Sequence, residues 1–224
     1  MSESSSLVRV GNTLKVTDKL LEENNQRLII SEIKSVKIGD QIWMTENLNV
    51  DRFRNGDPIP EARTDEEWEK AGDNSMPAWC YYENNSENGA VFGKLYNWFA
   101  VMDSRGLAPE GQHIPNDREW LNLKENLRVS LLQKENITLN DKLFDMLIMR
   151  ENVNNKPFQL EFALRSPFGK FRRPSEYGWW SCSVDPLEHD HFAITYKIDL
   201  PSKTLKRSTS TLKEAGFSVR CIKD

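Results

Sequence analysis

The chain is poor in the two residue types that most often build metal and redox centres. It has three cysteines and three histidines among its 224 residues. No two cysteines form a C-x-x-C pair, which argues against a zinc site or a redox pair. Two interpretations stay open for them: small buried side chains, or one disulfide with a thiol left over. The three cysteines are Cys80, Cys182 and Cys221.

An excess of charge of one sign and a long apolar run are also missing. Lysine plus arginine number 30 against 34 aspartates plus glutamates, a formal net charge of -4. A nucleic-acid-binding surface needs a basic face. The main basic run, Lys170 with Arg172 and Arg173, is typical of a solvated loop, so we expect no nucleic-acid partner. No stretch approaches the about 18 apolar residues of a membrane span, and we expect none.

The polarity of the chain changes after residue 26. Residues 1–26 are polar, and their start, MSESSSLVRV, has no apolar core of the kind that a secretory signal needs. From residue 27 β-branched residues become frequent, and Gly39 and Asp40 stand where a hairpin turn is expected. We predict a polar extension over 1–26 and one domain over 27–224. A chain with this start is either cytosolic or has lost a leader.

Two five-residue stretches share the chemistry of a helix start: TDEEW at 64–68 and NDREW at 116–120. In each stretch the first residue is a good N-cap, and the glutamate three positions later completes a capping box. The tryptophan that closes each stretch is predicted to face the core. In the second helix, Leu123 and Leu127 extend the same apolar face.

The remaining elements follow from the distribution of apolar residues. Apolar residues on most sides predict a buried helix over 93–102, in which Asn97 is expected to bind the backbone of a turn. A further helix is predicted over 131–156. Strand-like stretches separated by Gly, Pro and Ser clusters return afterwards, at 158–165, 178–184, 191–200 and 216–224. Helices in the middle and strands at both ends predict an α+β fold, with the terminal strands paired in one sheet and the helices packed on it.

Six blocks of sequence occur in an order that is typical of one bacterial family. They are VKIGDQIWMTENLNV (36–50), PAWCYY (77–82), GKLYNWFAV (93–101), RGLAPEGQHIPNDREW (105–120), GWWSCS (178–183) and GFSVRCIKD (216–224). Together they closely resemble the Fibrobacter succinogenes major paralogous domain family, over roughly residues 28–224. The chain departs from the family pattern at Ala108, at Gln112 and over 168–170.

The resemblance implies a fold and a location. The family is similar to the formylglycine-generating-enzyme type of C-type-lectin-like fold, which implies a compact α+β domain with a loop-rich face. It also implies an extracellular or cell-surface location, because such domains often follow lipoprotein leaders, while the polar start leaves a cytoplasmic location open. Members of the family mostly have no assigned activity, and a fold by itself does not determine chemistry.

No complete catalytic constellation is visible in the sequence. The formylglycine-generating enzymes bind copper through a close pair of cysteines, whereas Cys182 and Cys221 are far apart in this sequence. No G-x-S-x-G turn marks a serine nucleophile. We therefore expect no enzymatic activity and no cofactor. Calcium is left open, because VDPLEHD (184–190) and IPND (114–117) place carboxylates and amides beside proline, although not in the usual lectin arrangement.

The residues that we predict to bind a ligand lie in the C-terminal part. Trp179 and Trp180 are adjacent in a predicted strand, so their rings point to opposite faces. We expect one ring in the core and the other in a cleft lined by EHDH (188–191). Small ligands are held in this way, by apolar surface in a concave site with polar edges. The predicted ligand-binding residues are Tyr177, Trp179, Trp180, Glu188, His189, Asp190 and His191.

Three functions are compatible with these features. The first, which we favour, is a non-enzymatic recognition module that binds a glycan or a protein through loops at 165–192 and 200–212. The second is a displayed variable ligand-binding protein of a diversity-generating retroelement, because similar folds are varied on such a face. The third is a metal-dependent enzyme using His189 and His191, with Asp185 or Glu188 as a further ligand.

Overall fold

The computed structural model describes residues 35–132, 164–172, 176–187, 190–199 and 204–224. The predicted extension over 1–26, its boundary, and most of the helix predicted over 131–156 lie outside these residues. In chain order the elements are β1 (Ser35–Ile38), β2 (Gln41–Met44), α1 (Asp65–Asp73), β3 (Trp79–Cys80), α2 (Gly89–Phe92), β4 (Leu95–Tyr96), α3 (Trp98–Val101), β5 (Gln112–His113), α4 (Asp117–Leu132), β6 (Leu164–Arg165), β7 (Phe171–Arg172), β8 (Glu176–Trp180), β9 (Phe192–Asp199), β10 (Thr204–Leu212) and β11 (Ile222–Lys223).

The first and the last described strands lie in one sheet, in the order β1-β2-β11-β5. β1 and β2 form an antiparallel hairpin around Gly39, whose φ of 59° lies in the left-handed region that glycine adopts at no steric cost. β11 pairs with β2 through Ile222 and Trp43, and with β5 through Ile222 and His113. The predicted hairpin turn and the pairing of the terminal strands are confirmed. The fold is mixed, with few helices and several antiparallel sheets.

A second sheet consists of β8, β9 and β10, with β9 in the middle. All its pairs are antiparallel, and an irregularity in the register falls between Ser208 and Thr211 of β10. The prediction of a ligand-binding loop over 200–212 is therefore wrong for residues 204–212. Threonine is β-branched and suits a strand, but TLKRSTSTL has too few apolar residues for a two-residue period to show. Part of the loop predicted over 165–192 is also strand, since β8 occupies 176–180.

The helix predicted over 93–102 forms only in its second half. Leu95 and Tyr96 pair with β3, and Tyr96 exchanges backbone hydrogen bonds with Phe217, both of which use the extended backbone. Asn97 then caps α3, a helix of four residues. Its Oδ1 accepts the amides of Ala78 and Ala100 at 3.0 Å, which confirms the prediction that Asn97 binds backbone groups. Long-range pairing has overridden the local helical pattern.

Both predicted capping boxes are present. In α1 the amide of Glu67 donates to Thr64 Oγ1 at 3.2 Å, and Glu67 Oε2 accepts the amide of Thr64 at 3.3 Å. In α4 the amide of Glu119 donates to Asn116 Oδ1 at 3.1 Å, and Glu119 Oε2 accepts the amide of Asn116 at 2.8 Å. The tryptophan that follows each box is buried, as predicted. None of the helices within the described residues combines the length and apolar character that crossing a membrane would take.

Two hydrophobic clusters flank the β8–β10 sheet. The Trp120 cluster lies on the side of α4 and the terminal sheet, and the Trp180 cluster lies on the side of β3, β4 and α3. The main members of the Trp120 cluster are Trp43, Trp120, Leu123, Trp179, Ile194, Tyr196, Ile198 and Leu205. Those of the Trp180 cluster include Phe53, Trp79, Tyr96, Val101, Trp180, Phe217 and Val219. Around Trp179 and Trp180 both faces of the sheet are thereby covered, whereas much of β10 stays exposed.

Arg165 is a fully buried charge that connects the β6–β7 hairpin to the start of α1. Its guanidinium donates to the carbonyls of Gly169, Ala62 and Thr64 at 2.7 to 2.9 Å, and it contacts Asp65 at 3.3 Å. A planar group with five donors can serve this many acceptors, whereas a lysine cannot. Asp65 also binds the exposed Lys170, so the predicted basic run begins in an ion pair.

Candidate ligand-binding surface

Neither Trp179 nor Trp180 offers its ring to an open cleft of the described residues. The two rings point to opposite faces of β8, as the strand period requires. Both are nevertheless buried, with 5% exposure for Trp179 and 0% for Trp180. The prediction that one ring lies in an open cleft is therefore wrong, because each face of this sheet is covered by its own hydrophobic cluster.

The other predicted site residues lie in different parts of the structure or outside the described residues. Tyr177 lies in β8 opposite Ile198. Glu188 and His189 lie outside the described residues, so their predicted roles stay predictions. Asp190 and His191 are exposed, immediately before β9. Asp190 and His191 therefore lie on the surface, whereas Trp179 and Trp180 are buried.

Asp190 and His191 are held next to Trp98 by Lys213. The Lys213 amide donates to the carbonyl of His191 at 3.1 Å, and its Nζ donates to the carbonyl of Asp190 at 3.1 Å. The Lys213 carbonyl accepts the amide of Trp98 at 2.9 Å, and the ammonium lies 4.8 Å from the centroid of the Trp98 ring. We call Trp98, Asp190, His191 and Lys213 the Trp98 surface.

Trp98 belongs to the helix that was predicted to be buried over 93–102, and it is only half-buried. It is the first residue of α3, and its Nε1 donates to the carbonyl of Ser181 at 3.2 Å. One side of the ring packs against the Trp180 cluster. Met102, at the end of α3, is 46% exposed. A helix of one turn has too few neighbours to bury apolar side chains on every side. The apolar residues on most sides of this stretch could therefore have indicated an exposed aromatic ring.

The segment over 181–187, which follows β8, is held in place by charged groups from α4 and β10. Arg207 binds both carboxylate oxygens of Asp117, at 2.7 and 3.0 Å, and contacts Asp185 at 3.4 Å. The Asp117 amide donates to Ser183 Oγ at 3.0 Å. Burial by itself would raise the pKa of Asp117, but the hydrogen bonds from Arg207 and Tyr196 outweigh burial and lower that pKa. A rigid loop loses little conformational entropy when a ligand binds.

The Trp120 cluster contains a small cavity that does not qualify as a ligand site. Its walls are almost wholly apolar, and its volume is about 10 Å³. That is about the room one water needs, and a water there would find too few polar partners. The lining residues are Trp43, Trp120, Leu123, Leu127, Trp179, Ile198, Leu205 and Arg220.

Metal-ligating side chains do not converge in the part of the chain that the structure describes. No group of three His, Cys, Asp or Glu side chains able to hold a metal occurs there. The proposed pair of His189 and His191 is not tested by this, because His189 lies outside those residues. The cysteines are free thiols, with Cys80 and Cys221 buried and Cys182 half-buried. The sequence left open either unpaired cysteines or one disulfide, and in the structure the cysteines are unpaired.

Comparison with known proteins gives a family but no close relative. No curated protein and no solved structure matches the chain. The model of the Fibrobacter succinogenes major domain matches residues 36–223. This match runs from β1 to β11 and includes the Trp98 surface. The chain belongs to the Fibrobacter succinogenes major domain family.

Proposed function

We propose that the domain is a non-enzymatic recognition module with a C-type-lectin-like fold, and that it binds a glycan through the Trp98 surface. The observation that carries this proposal is the half-buried Trp98 ring, fixed by Ser181 and Lys213 beside the exposed Asp190 and His191. An aromatic face gives apolar contact to a sugar ring, and the neighbouring polar groups can bond its hydroxyls.

The size of the surface favours a sugar over a protein. A stable protein interface buries about 800 Å² on each partner. The Trp98 surface has one partly exposed aromatic ring and three polar residues, which suits one or two sugar rings. A protein ligand is the alternative outcome, and it would need a contact that extends beyond these four residues.

The fold and the location belong to the same proposal. The presence of the first and last described strands in one sheet supports a C-type-lectin-like arrangement. A glycan-binding module of this kind would act outside the cell or at its surface, as the family resemblance implies. We propose that no metal takes part, so that binding persists when calcium is removed.

The test is binding to a glycan array, with calcium and with EDTA, using protein without a polyhistidine tag. His191→Ala and Lys213→Ala are expected to weaken binding about threefold to tenfold each, since each removes one hydrogen-bonding group. Lys124→Ala, an exposed lysine on α4, is the matched control and should bind as the unchanged protein does.

Each other outcome would change the proposal. Glycan binding that survives both substitutions would place the site elsewhere. Binding lost in EDTA would establish the calcium alternative, and a metal found by elemental analysis of the untagged protein would support the enzyme that uses His189 and His191. A domain that binds no glycan but captures a defined protein would make that protein the ligand.

A further inference from the structure

His113 lies between two carboxylates that come from different parts of the chain. Its Nδ1 is 2.6 Å from Asp224 Oδ1, and its Nε2 is 2.9 Å from Glu119 Oε1. His113 belongs to β5, Glu119 to the first turn of α4, and Asp224 follows β11. One ring thus joins three elements, and it is 39% exposed to solvent.

These two contacts require a particular protonation state. A neutral imidazole has one N–H donor, and its other nitrogen carries a lone pair. When both carboxylates are ionised, the lone pair would face a carboxylate oxygen across one of the two short distances. Only the imidazolium donates to both carboxylates at once. Both hydrogen bonds are therefore present together when His113 is protonated, and one is lost when it is neutral.

The other charged or titratable groups near His113 do not replace these partners. The Arg54 guanidinium donates to the carbonyl of the neighbouring Gln112 at 3.0 Å. Lys223 lies opposite Gln112 in β11. Burial, with a further contribution from Glu119, raises the pKa of Cys182 to about 11, so this thiol is uncharged when His113 titrates.

Glu119 connects His113 to the loop that begins at Ser181. While Oε1 of Glu119 contacts His113, its Oε2 accepts the amide of Asn116 in the capping box. The residue before, Pro115, accepts the amide of Cys182 at 3.0 Å and the hydroxyl of Ser181 at 3.1 Å. The carbonyl of Ser181 in turn accepts Nε1 of Trp98. The start of α4 is thus shared between His113 and the loop.

We propose that His113 is a pH-sensitive tie, which holds β5, the start of α4 and Asp224 together when it is protonated and loosens the start of α4 when it loses its proton. The tie itself does not depend on the proposed function. Its effect on ligand binding would rest on that function, because Ser181, which is bonded to Pro115, also accepts the indole N–H of Trp98.

The direction of the pH effect follows from the two carboxylates. Burial opposes protonation, but the hydrogen bonds to Glu119 and Asp224 raise the pKa of His113 above its ordinary value. A raised pKa in the folded state means that the stabilisation is complete below the unfolded value of about 6.5. It is lost as the pH rises through the folded-state pKa.

The first test is NMR titration of the histidines, with Asp224→Asn as the main variant. Asp224 is exposed, so this change removes one charge and keeps the shape of the side chain. We expect His113 to bind its proton more tightly in the folded protein than in the unfolded chain, and Asp224→Asn to reduce that proton affinity about threefold to tenfold. Glu119→Gln should also reduce the proton affinity of His113, because it removes the other carboxylate charge. Glutamine still completes the capping box, so the start of α4 is kept.

Hydrogen exchange distinguishes a contact that holds the start of α4 in place from an ion pair that leaves α4 unaffected. Hydrogen-exchange protection of the Cys182 and Asp117 amides should fall as the pH passes the pKa of His113. In His113→Gln, which does not titrate, protection should be independent of pH, whereas His191→Gln should behave as the unchanged protein does. No ligand is needed, so failure of the proposed function would leave this result unaffected. The proposal is overturned if the pKa of His113 is no higher in the folded protein than in the unfolded chain, or if protection stays constant while His113 deprotonates.

Discussion

Trp179 and Trp180 are neighbours in β8, and their rings are buried in two different hydrophobic clusters. The Trp179 ring stacks on Trp120 at a centroid distance of 5.9 Å, and its Nε1 donates to Asn47 at 2.8 Å. The Trp180 ring meets Phe217 edge-on at 5.1 Å, and its Nε1 donates to the Tyr96 carbonyl at 2.7 Å. The pair therefore fastens the β8–β10 sheet to both clusters.

Replacing either ring of this pair should therefore destabilise the fold strongly. We expect Trp179→Ala and Trp180→Ala to lower the free energy of unfolding by about 3–5 kcal/mol each, the usual cost of removing a buried tryptophan. Urea denaturation measures both. Leu187→Ala is the control, since Leu187 is 90% exposed, and it should change stability by less than about 0.5 kcal/mol. A loss below about 1 kcal/mol for either tryptophan would mean that its ring is not buried.

Trp120 differs from the other six tryptophans in its hydrogen bonding. Its buried Nε1 has no acceptor among the described residues, whereas the N–H of each of the others donates to a named oxygen. An unpaired buried donor contributes nothing by being kept, while removal of a paired donor leaves its acceptor unsatisfied. Trp120 is therefore the one tryptophan whose N–H the fold can lose without breaking a hydrogen bond of the described residues.

Replacing tryptophan with phenylalanine compares a hydrogen-bonded indole N–H with one that has no acceptor, at two buried positions. Trp79 is the matched residue, because its Nε1 donates to the carbonyl of Ile59 at 2.8 Å and it is also buried. We expect Trp79→Phe to cost about 1–2 kcal/mol more than Trp120→Phe, the worth of one buried hydrogen bond. Chemical denaturation provides the comparison. Equal costs would imply that Trp120 has an acceptor, in residues outside those described or in a bound water.

The parts of the fold that the sequence predicted well are those determined by neighbours along the chain. A capping box needs only four consecutive residues, and both boxes formed, at Thr64 and at Asn116. The turn at Gly39 likewise depends on its own backbone conformation. The pairing of the terminal strands was also predicted, because strand-like sequence occurred at both ends with helices between.

The errors share a different cause, which is packing between distant parts of the chain. Tyr96 lies in a strand because Phe217 supplies its backbone partners. Trp180 is buried because Tyr96 and Phe217 cover its face of the sheet. Lys213 is 115 positions from Trp98, so no local pattern could join them. The candidate surface thus depends on tertiary contacts, and the sequence could place only Asp190 and His191 on it.

Asn97 provides a test of these long-range contacts. Its Oδ1 accepts two amides, from Ala78 and Ala100, and its Nδ2 donates to the Met76 carbonyl at 2.7 Å. Asn97→Ala removes all three bonds and should cost about 2–4 kcal/mol, because it leaves buried backbone groups unpaired. Measured by thermal or urea unfolding, a cost below about 1 kcal/mol would show that water replaces the amide.

Aspartate at position 97 makes the prediction depend on pH. A carboxylate can still accept the Ala78 and Ala100 amides, but its second oxygen would face the carbonyl of Met76. The protonated acid can donate there, so the folded state favours the proton and the variant's carboxyl pKa rises on folding. Asn97→Asp should therefore be closest to the unchanged protein near about pH 4 and lose stability as the pH rises toward about 7. Loss of stability independent of pH would contradict this.

The three thiols should react in an order set by their burial. Burial raises the pKa of Cys80 and of Cys182 to about 11, and that of Cys221 to about 12. At about pH 8 fewer than about one thiol in a thousand is then ionised, and the thiolate is the reactive form. We expect Cys182, which is half-buried, to react first with a disulfide reagent, and to react slowly. Cys80 and Cys221 should react only when the protein unfolds. Cys182→Ser should abolish the first phase, and the unfolded protein should give three thiols. A single thiol in the unfolded, unreduced protein would instead establish the disulfide that the sequence left open.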